Sequence, residues 1–137
     1  MAQSLSLSSN RADNDFYCDL SRLYAEGCLT ATADPSRYDF VIAYITPDRQ
    51  WRFPRSLSRE DIAVAKPIPV FDAIQFITAQ NIDLMLPQMF CIPGMTHYRA
   101  LFDLLKIPYV GNTPDVNECL LINQSKVVYK FLLRLGI

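Results

Sequence analysis

Cys91 and His97 are the pair in this sequence whose side chains could do nucleophilic chemistry together, a thiol and, six positions on, an imidazole able to take its proton. Both lie in or beside a Pro- and Gly-bearing loop, Pro87 to Gly94. No oxyanion donor or orienting acid can be named around them. His97 is the only histidine, and in GMTHYRALF it stands at the predicted start of a helix, where a solvated or capping role fits better than catalysis. The four cysteines, Cys18, Cys28, Cys91 and Cys119, form no CxxC pair, so a zinc site is disfavoured and buried, reduced thiols are expected. No GxGxxG, GxxxxGK[ST] or GxSxG run occurs, which removes the dinucleotide fingerprint, the P-loop and the nucleophile elbow. Lys126 and Lys130, four apart, could face an anion such as a nucleotide phosphate or simply water. Arg99 and Lys106 read as the exposed face of their helix.

The elements that must position these residues follow from periodicity. In Asn81 to Gly111 an apolar run (Ile82, Leu84, Met85, Leu86) leads through the Pro87 to Gly94 loop into a helix. Its stripe is Tyr98, Leu101, Phe102 and Leu105, and a second apolar run follows, ending at Gly111. Strand, loop, helix, strand implies two parallel strands joined by a crossover, and in such sheets ligands meet the loops at the carboxyl ends of the strands. The Pro87 to Gly94 loop is therefore the first place to look for function. Upstream, Asp13, Asn14 and Asp15 offer N-cap chemistry before the stripe Phe16, Leu20, Leu23 and Tyr24, with Gly27 expected to close that helix. YDFVIAYIT, Tyr38 to Thr46, reads as a strand stopped by Pro47, and Gln50 to Phe53 as its antiparallel return. Trp51 and Phe53 would then share one side of that strand, covering a helix or the sheet edge. Ser58 and Asp61 have capping-box spacing for a short helix, and Val70, Ala73, Ile74 and Ile77 form another helical stripe. A last helix runs from Leu120, with Val127, Val128, Phe131, Leu132 and Leu135 on its buried face. The fold class is α/β, an open and mainly parallel Rossmann-like sheet of about four strands, with helices on both faces and an antiparallel edge hairpin.

At 137 residues, half hydrophobic and a fifth charged, the chain suits a single domain with a real core. Residues 1–12, rich in Ser, read as a disordered tail or an edge strand, and 13–137 as the domain. Thirteen basic residues against fourteen acidic ones give a net charge of −1 and no support for nucleic-acid binding. No apolar run approaches the roughly twenty residues of a membrane span, and the N-terminus lacks the pattern of a secretory signal. A soluble, cytoplasmic protein is expected.

LFDLLKIPYVGNTPD, Leu101 to Asp115, resembles the segment in D-alanine-D-alanine ligases where a helix ends just before the ATP-grasp domain. The wider span from Phe16 to Asp115 is similar to the ligase-like enzymes of cyanobacterial mycosporine-like amino acid biosynthesis, above all in YDFVIAYITPDRQW and DLMLPQMFCIPGMTHYRALFDLL. The resemblance implies a pre-ATP-grasp domain forming one wall of an amino acid substrate site. In the family, ATP-grasp domains further along the chain hold ATP and Mg²⁺, and an acyl phosphate is attacked by an amine. Those domains are not expected in this sequence; they or a second chain would be its partners, and the fragment alone would be inactive. The resemblance brings four residues toward the substrate: Asp15, the acid nearest the family's amine-binding position, and Cys91, Gly94 and His97, in or beside a loop that replaces the ligases' His-Gly…Gly-Glu-Asp-Gly. The family's ATP-contacting lysine falls by count on Asn123, so Lys126, one helical turn later, is the candidate nucleotide contact. Together with the serine-rich start, this implies a truncated or rearranged ligase. The alternative is a stand-alone binding module of the same fold.

Overall fold

The computed structural model describes residues 2–9, 15–46, 48–89 and 91–117. In chain order these form β1 (Ala2–Ser9), α1 (Asp15–Thr32), β2 (Tyr38–Ile45), β3 (Trp51–Arg52), α2 (Arg59–Val64), α3 (Val70–Ala79), β4 (Leu84–Pro87), α4 (Ile92–Met95) and α5 (His97–Leu104). The strands lie in the order β3-β2-β1-β4. β1 runs parallel to both neighbours, with Leu5 opposite Val41 on one side and Met85 on the other. β3 returns antiparallel beside β2, pairing Trp51 with Ile45.

The side-chain alternation of β2 decides which helices cover which face. Ala43 and Ile45 join a core with Trp51, Ala73 and Ile77 of α3, Met85 of β4 and Phe102 of α5. Ile42 packs instead with Ala25 of α1 and Leu57. Helices thus cover both faces, α1 on one and α3 with α5 on the other. The chain leaves β1 toward β2 and later reaches β4 on the opposite side of β1, so connections diverge at the carboxyl edge as they do at ligand sites of open α/β sheets.

Three local expectations need correction. The serine-rich start is neither a tail nor an edge strand: Ala2–Ser9 form an interior strand bonded on both sides. Two parallel ladders satisfy its backbone whatever its side chains contribute, and Leu5-Ser6-Leu7-Ser8 keeps the two-residue period of a strand. Gly27 does not close α1, which runs on to Thr32. Glycine weakens an exposed helix by only about 1 kcal/mol relative to alanine, too little to end one of this length. A Cβ added at Gly27 meets nothing within 4 Å. Gly27→Ala should therefore raise stability, by up to about 1 kcal/mol, as a higher midpoint in urea denaturation. The second strand expected after α5 is reduced to one parallel bridge, Met85 to Tyr109. Lys106 at φ 57° and Gly111 at φ 120° turn the chain on either side of it and leave no room for more.

Elsewhere local chemistry and structure agree. Ser58 caps α2, its side chain accepting from the Asp61 N–H at 3.1 Å. Ala73 and Ile77 are the buried face of α3. Among the described residues no helix is long and apolar enough to cross a membrane. The helix expected from Leu120, with its face Val127 to Leu135, lies outside the described residues.

Candidate functional site

The turn joining β2 to β3 is built by Thr46, whose N–H donates to Gln50 O and whose carbonyl accepts from the Arg49 N–H, each at 2.9 Å. The Thr46 hydroxyl also donates to the Asp48 carboxylate. These bonds hold Arg49 at φ 63°. Arg49 there borders a groove of about 530 Å³, with Trp51, Val70 at the start of α3, Pro93 in α4, and His97, Tyr98 and Leu101 on α5. The turn follows the carboxyl end of β2, and α4 and α5 follow that of β4. The groove therefore opens where ligands meet sheets of this type.

Its floor is apolar and its polar groups are few. Tyr98 stands edge-on to Trp51, ring centroids 5.7 Å apart. Burial, with Cys91 nearby and opposed by Arg49, holds the Tyr98 phenol above the usual tyrosine range, so it stays a neutral donor. His97 is exposed, its Nδ1 3.2 Å from the Thr96 hydroxyl. That hydroxyl donates to Ile92 O at 2.8 Å, so its one proton is committed and Nδ1–H is the donor of the pair. Neither the Arg49 guanidinium nor the Tyr98 hydroxyl has a hydrogen bond or ion pair among the described residues. Arginine and phenol beside an apolar floor, with the imidazole at the rim, can receive a small molecule with an anionic end and an apolar body.

No protein-family model matches the sequence, and no curated protein matches it. Solved structures do. The chain matches the D-alanine-D-alanine ligase of Coxiella burnetii over 99% of its own length and 42% of the ligase, with 19% identity and a TM-score of 0.71. The D-alanine-D-alanine ligase of Aeromonas hydrophila matches over 100% of this chain and 47% of that one, with 18% identity and a TM-score of 0.56. The D-Ala:D-Ser ligase VanG of Enterococcus faecalis matches over 83% and 37%, with 15% identity and a TM-score of 0.55. The fold is that of a D-alanine-D-alanine ligase-like N-terminal domain. The chain spans less than half the length of each of these ligases.

Against this ligase-like fold, the residues singled out by sequence separate. His97 lines the groove. Cys91 is half-buried behind it, beside Gly94. Gly94 is buried, and a Cβ there would lie 2.3 Å from Met89 Cβ and 3.2 Å from Cys91 Sγ, so packing alone demands glycine. Asp15 opens α1, the helix on the other face of the sheet. Lys126 lies outside the described residues. Among the described residues no group of three or more His, Cys, Asp or Glu could hold a metal ion.

Sequence reasoning passed over Arg49 and placed Tyr98 only in a core stripe. The available signal was a cationic residue in the turn directly after the strongest strand. Arg99 is not the exposed surface residue expected. It is half-buried, its Nη1 donates to Asn112 O at 2.5 Å, and its guanidinium lies 5.7 Å from the Tyr109 ring centroid. Nη1 would sit 2.8 Å from a Cβ at Gly111, which explains glycine at that positive φ. Asn117 reaches back to the loop region, Nδ2 donating to Met95 O at 2.7 Å.

Burial also raises the Tyr109 phenol, helped by its hydrogen bond to Asp103. With both tyrosines the folded chain keeps protons that the unfolded chain releases near pH 10. Their contribution is thus intact below that pH and lost as pH climbs toward the raised values. Stability measured from pH 8 to 11 should fall, and more shallowly in Tyr98→Phe.

Proposed function

We propose that this chain is the substrate-side, N-terminal domain of an ATP-dependent carboxylate-amine ligase of the D-alanine-D-alanine ligase type, and that its groove receives the amino acid. Likeness to such a ligase along nearly the whole chain supports the class, and Arg49 at the mouth of an apolar groove on the carboxyl edge supports the site. The Arg49 fork would bind the substrate carboxylate, the Tyr98 hydroxyl would donate to it, and Val70, Pro93 and Leu101 would take the side chain. Within the class we place it near the ligase-like enzymes of mycosporine-like amino acid biosynthesis, on the two stretches quoted above and on a loop without the ligases' His-Gly…Gly-Glu-Asp-Gly.

Binding and orientation are the roles this reading gives to the described residues. Activation of an acid by ATP requires Mg²⁺ and cationic clamps around the transferring phosphoryl group, and no step is assigned to them here. The 137-residue polypeptide, incubated with ATP, Mg²⁺ and amino acids, is expected to release no phosphate above background. Amino-acid-dependent turnover by that polypeptide would overturn this division of labour. A binding module for another protein is the second reading, favoured by the exposure of Leu104 (82%), Val110 (56%) and Val116 (47%). Light scattering that shows a discrete dimer or complex would support it.

A further inference from the structure

On the other face of the sheet from the groove, a second cavity of about 310 Å³ lies at the carboxyl end of β2, between α1 and α2. Arg22 of α1, Arg52 of β3 and Arg59 of α2 line it, together with Asp19, Tyr44 and Thr46. We propose that this cavity is a binding site for a tetrahedral oxyanion, either inorganic phosphate or the phosphate of a small monoester.

Each arginine is held in place through one terminal nitrogen. Arg52 Nη1 donates to Ile62 O and Ala63 O at 3.1 Å and to Ala65 O at 2.7 Å, closing the carboxyl end of α2. Arg59 Nη2 grips Asp19 at 3.0 and 2.9 Å. Arg22 Nη1 contacts Glu26 at 3.3 Å and Leu57 O at 3.4 Å. A brace between helices explains those three nitrogens. It does not explain Arg22 Nη2, Arg52 Nη2 or Arg59 Nη1, which bond nothing among the described residues. The side chains lining the cavity bring three cations and one carboxylate, Asp19, which pairs with Arg59 at 2.9 Å and more loosely with Arg22 Nε at 3.8 Å, while Arg22 also pairs with Glu26 at 3.3 Å. Glu26 and Asp48 stand near the cluster, Asp48 held by Thr46, but neither lines the cavity.

Planar guanidinium groups carried by three separate elements, α1, β3 and α2, suit the several oxygens of a tetrahedral anion better than a flat carboxylate. The volume admits a phosphate with a small substituent. With a single carboxylate present, binding should need no divalent cation. The site stands independently of the ligase reading, since it uses none of the groove residues.

The test is calorimetric titration of the 137-residue chain with inorganic phosphate and with methyl phosphate, at fixed ionic strength set with chloride. Saturable binding is expected, equal with Mg²⁺ and with chelator. A preference for methyl phosphate identifies a monoester as the ligand, and a preference for the inorganic ion identifies free phosphate. Arg59→Gln, at a side chain 71% exposed and safe for folding, should weaken binding about tenfold. Asp19→Asn should tighten it by removing the lining negative charge. No saturable binding of either compound, unchanged binding in Arg59→Gln, or equal weakening by both substitutions would overturn the proposal and leave only the brace.

Discussion

Trp51→Ala is expected to destabilise the domain by about 3–5 kcal/mol. Trp51 is fully buried and is the only tryptophan. It stands edge-on to Tyr98 at 5.7 Å and stacks beside Phe53 at 6.4 Å, while Phe53 touches Phe76 at 4.3 Å. One short strand so ties the sheet edge to α3 and α5. Its backbone carries a second link, N–H to Ile68 O and carbonyl from Ile68 N–H, each at 2.9 Å, which the substitution leaves intact. The loss is therefore a cavity effect, and far-UV circular dichroism in urea reads it where fluorescence cannot. The indole Nε1 is buried without a hydrogen-bond partner among the described residues. Trp51→Phe removes that unsatisfied donor along with some volume, and should cost much less than the alanine variant. Because Trp51 supports the groove residue Tyr98 from beneath, Trp51→Ala should also weaken ligand binding where the variant remains folded.

Gly94→Ala is expected to cost about 3 kcal/mol although it adds a single methyl group. The new Cβ would lie 2.3 Å from Met89 Cβ. A flexible side-chain tip could swing away, but a Cβ moves only with its backbone, and Met89 is itself buried in the core. A double variant separates this cause from simple crowding. Met89→Ala keeps the offending Cβ, so Met89→Ala should not rescue Gly94→Ala, whereas crowding by the methionine tip would be relieved. The contrast with Gly27→Ala, where the same substitution meets open space and should stabilise, shows that environment sets the sign.

These two sites mark what was legible in the sequence. β2 announced itself through YDFVIAYIT, a β-branched and aromatic run ended by Pro47, and α3 through a stripe of which Ala73 and Ile77 are the buried members. Ser58 and Asp61 marked the start of α2 because capping is a contact over three residues, local enough to read directly. β1 was not legible. Its place between β2 and β4 rests on backbone bonds to partners about 36 and 80 positions away, which a serine-rich composition does not report. Pro93, in the loop after β4, borders the groove, while Gly94 stands there for packing with Met89. Arg49 reaches the groove only because the β2–β3 turn and α5 meet in space, a long-range fact without a local signature. Arg99 misled for the complementary reason: a charged residue on a helix reads as solvated, and only the returning chain at Tyr109 to Asn112 covers it.

On the proposed function, the groove between the β2–β3 turn and α5 takes the carboxylate of an amino acid. A ¹H–¹⁵N NMR titration of the ¹⁵N-labelled chain with D-alanine at constant pH and ionic strength tests it most directly. Saturable shifts confined to Arg49, His97, Tyr98, Leu101 and their neighbours, abolished by Arg49→Ala, are the expected result. Groove resonances that stay still to high millimolar D-alanine, or shifts that survive Arg49→Ala unchanged, would contradict it.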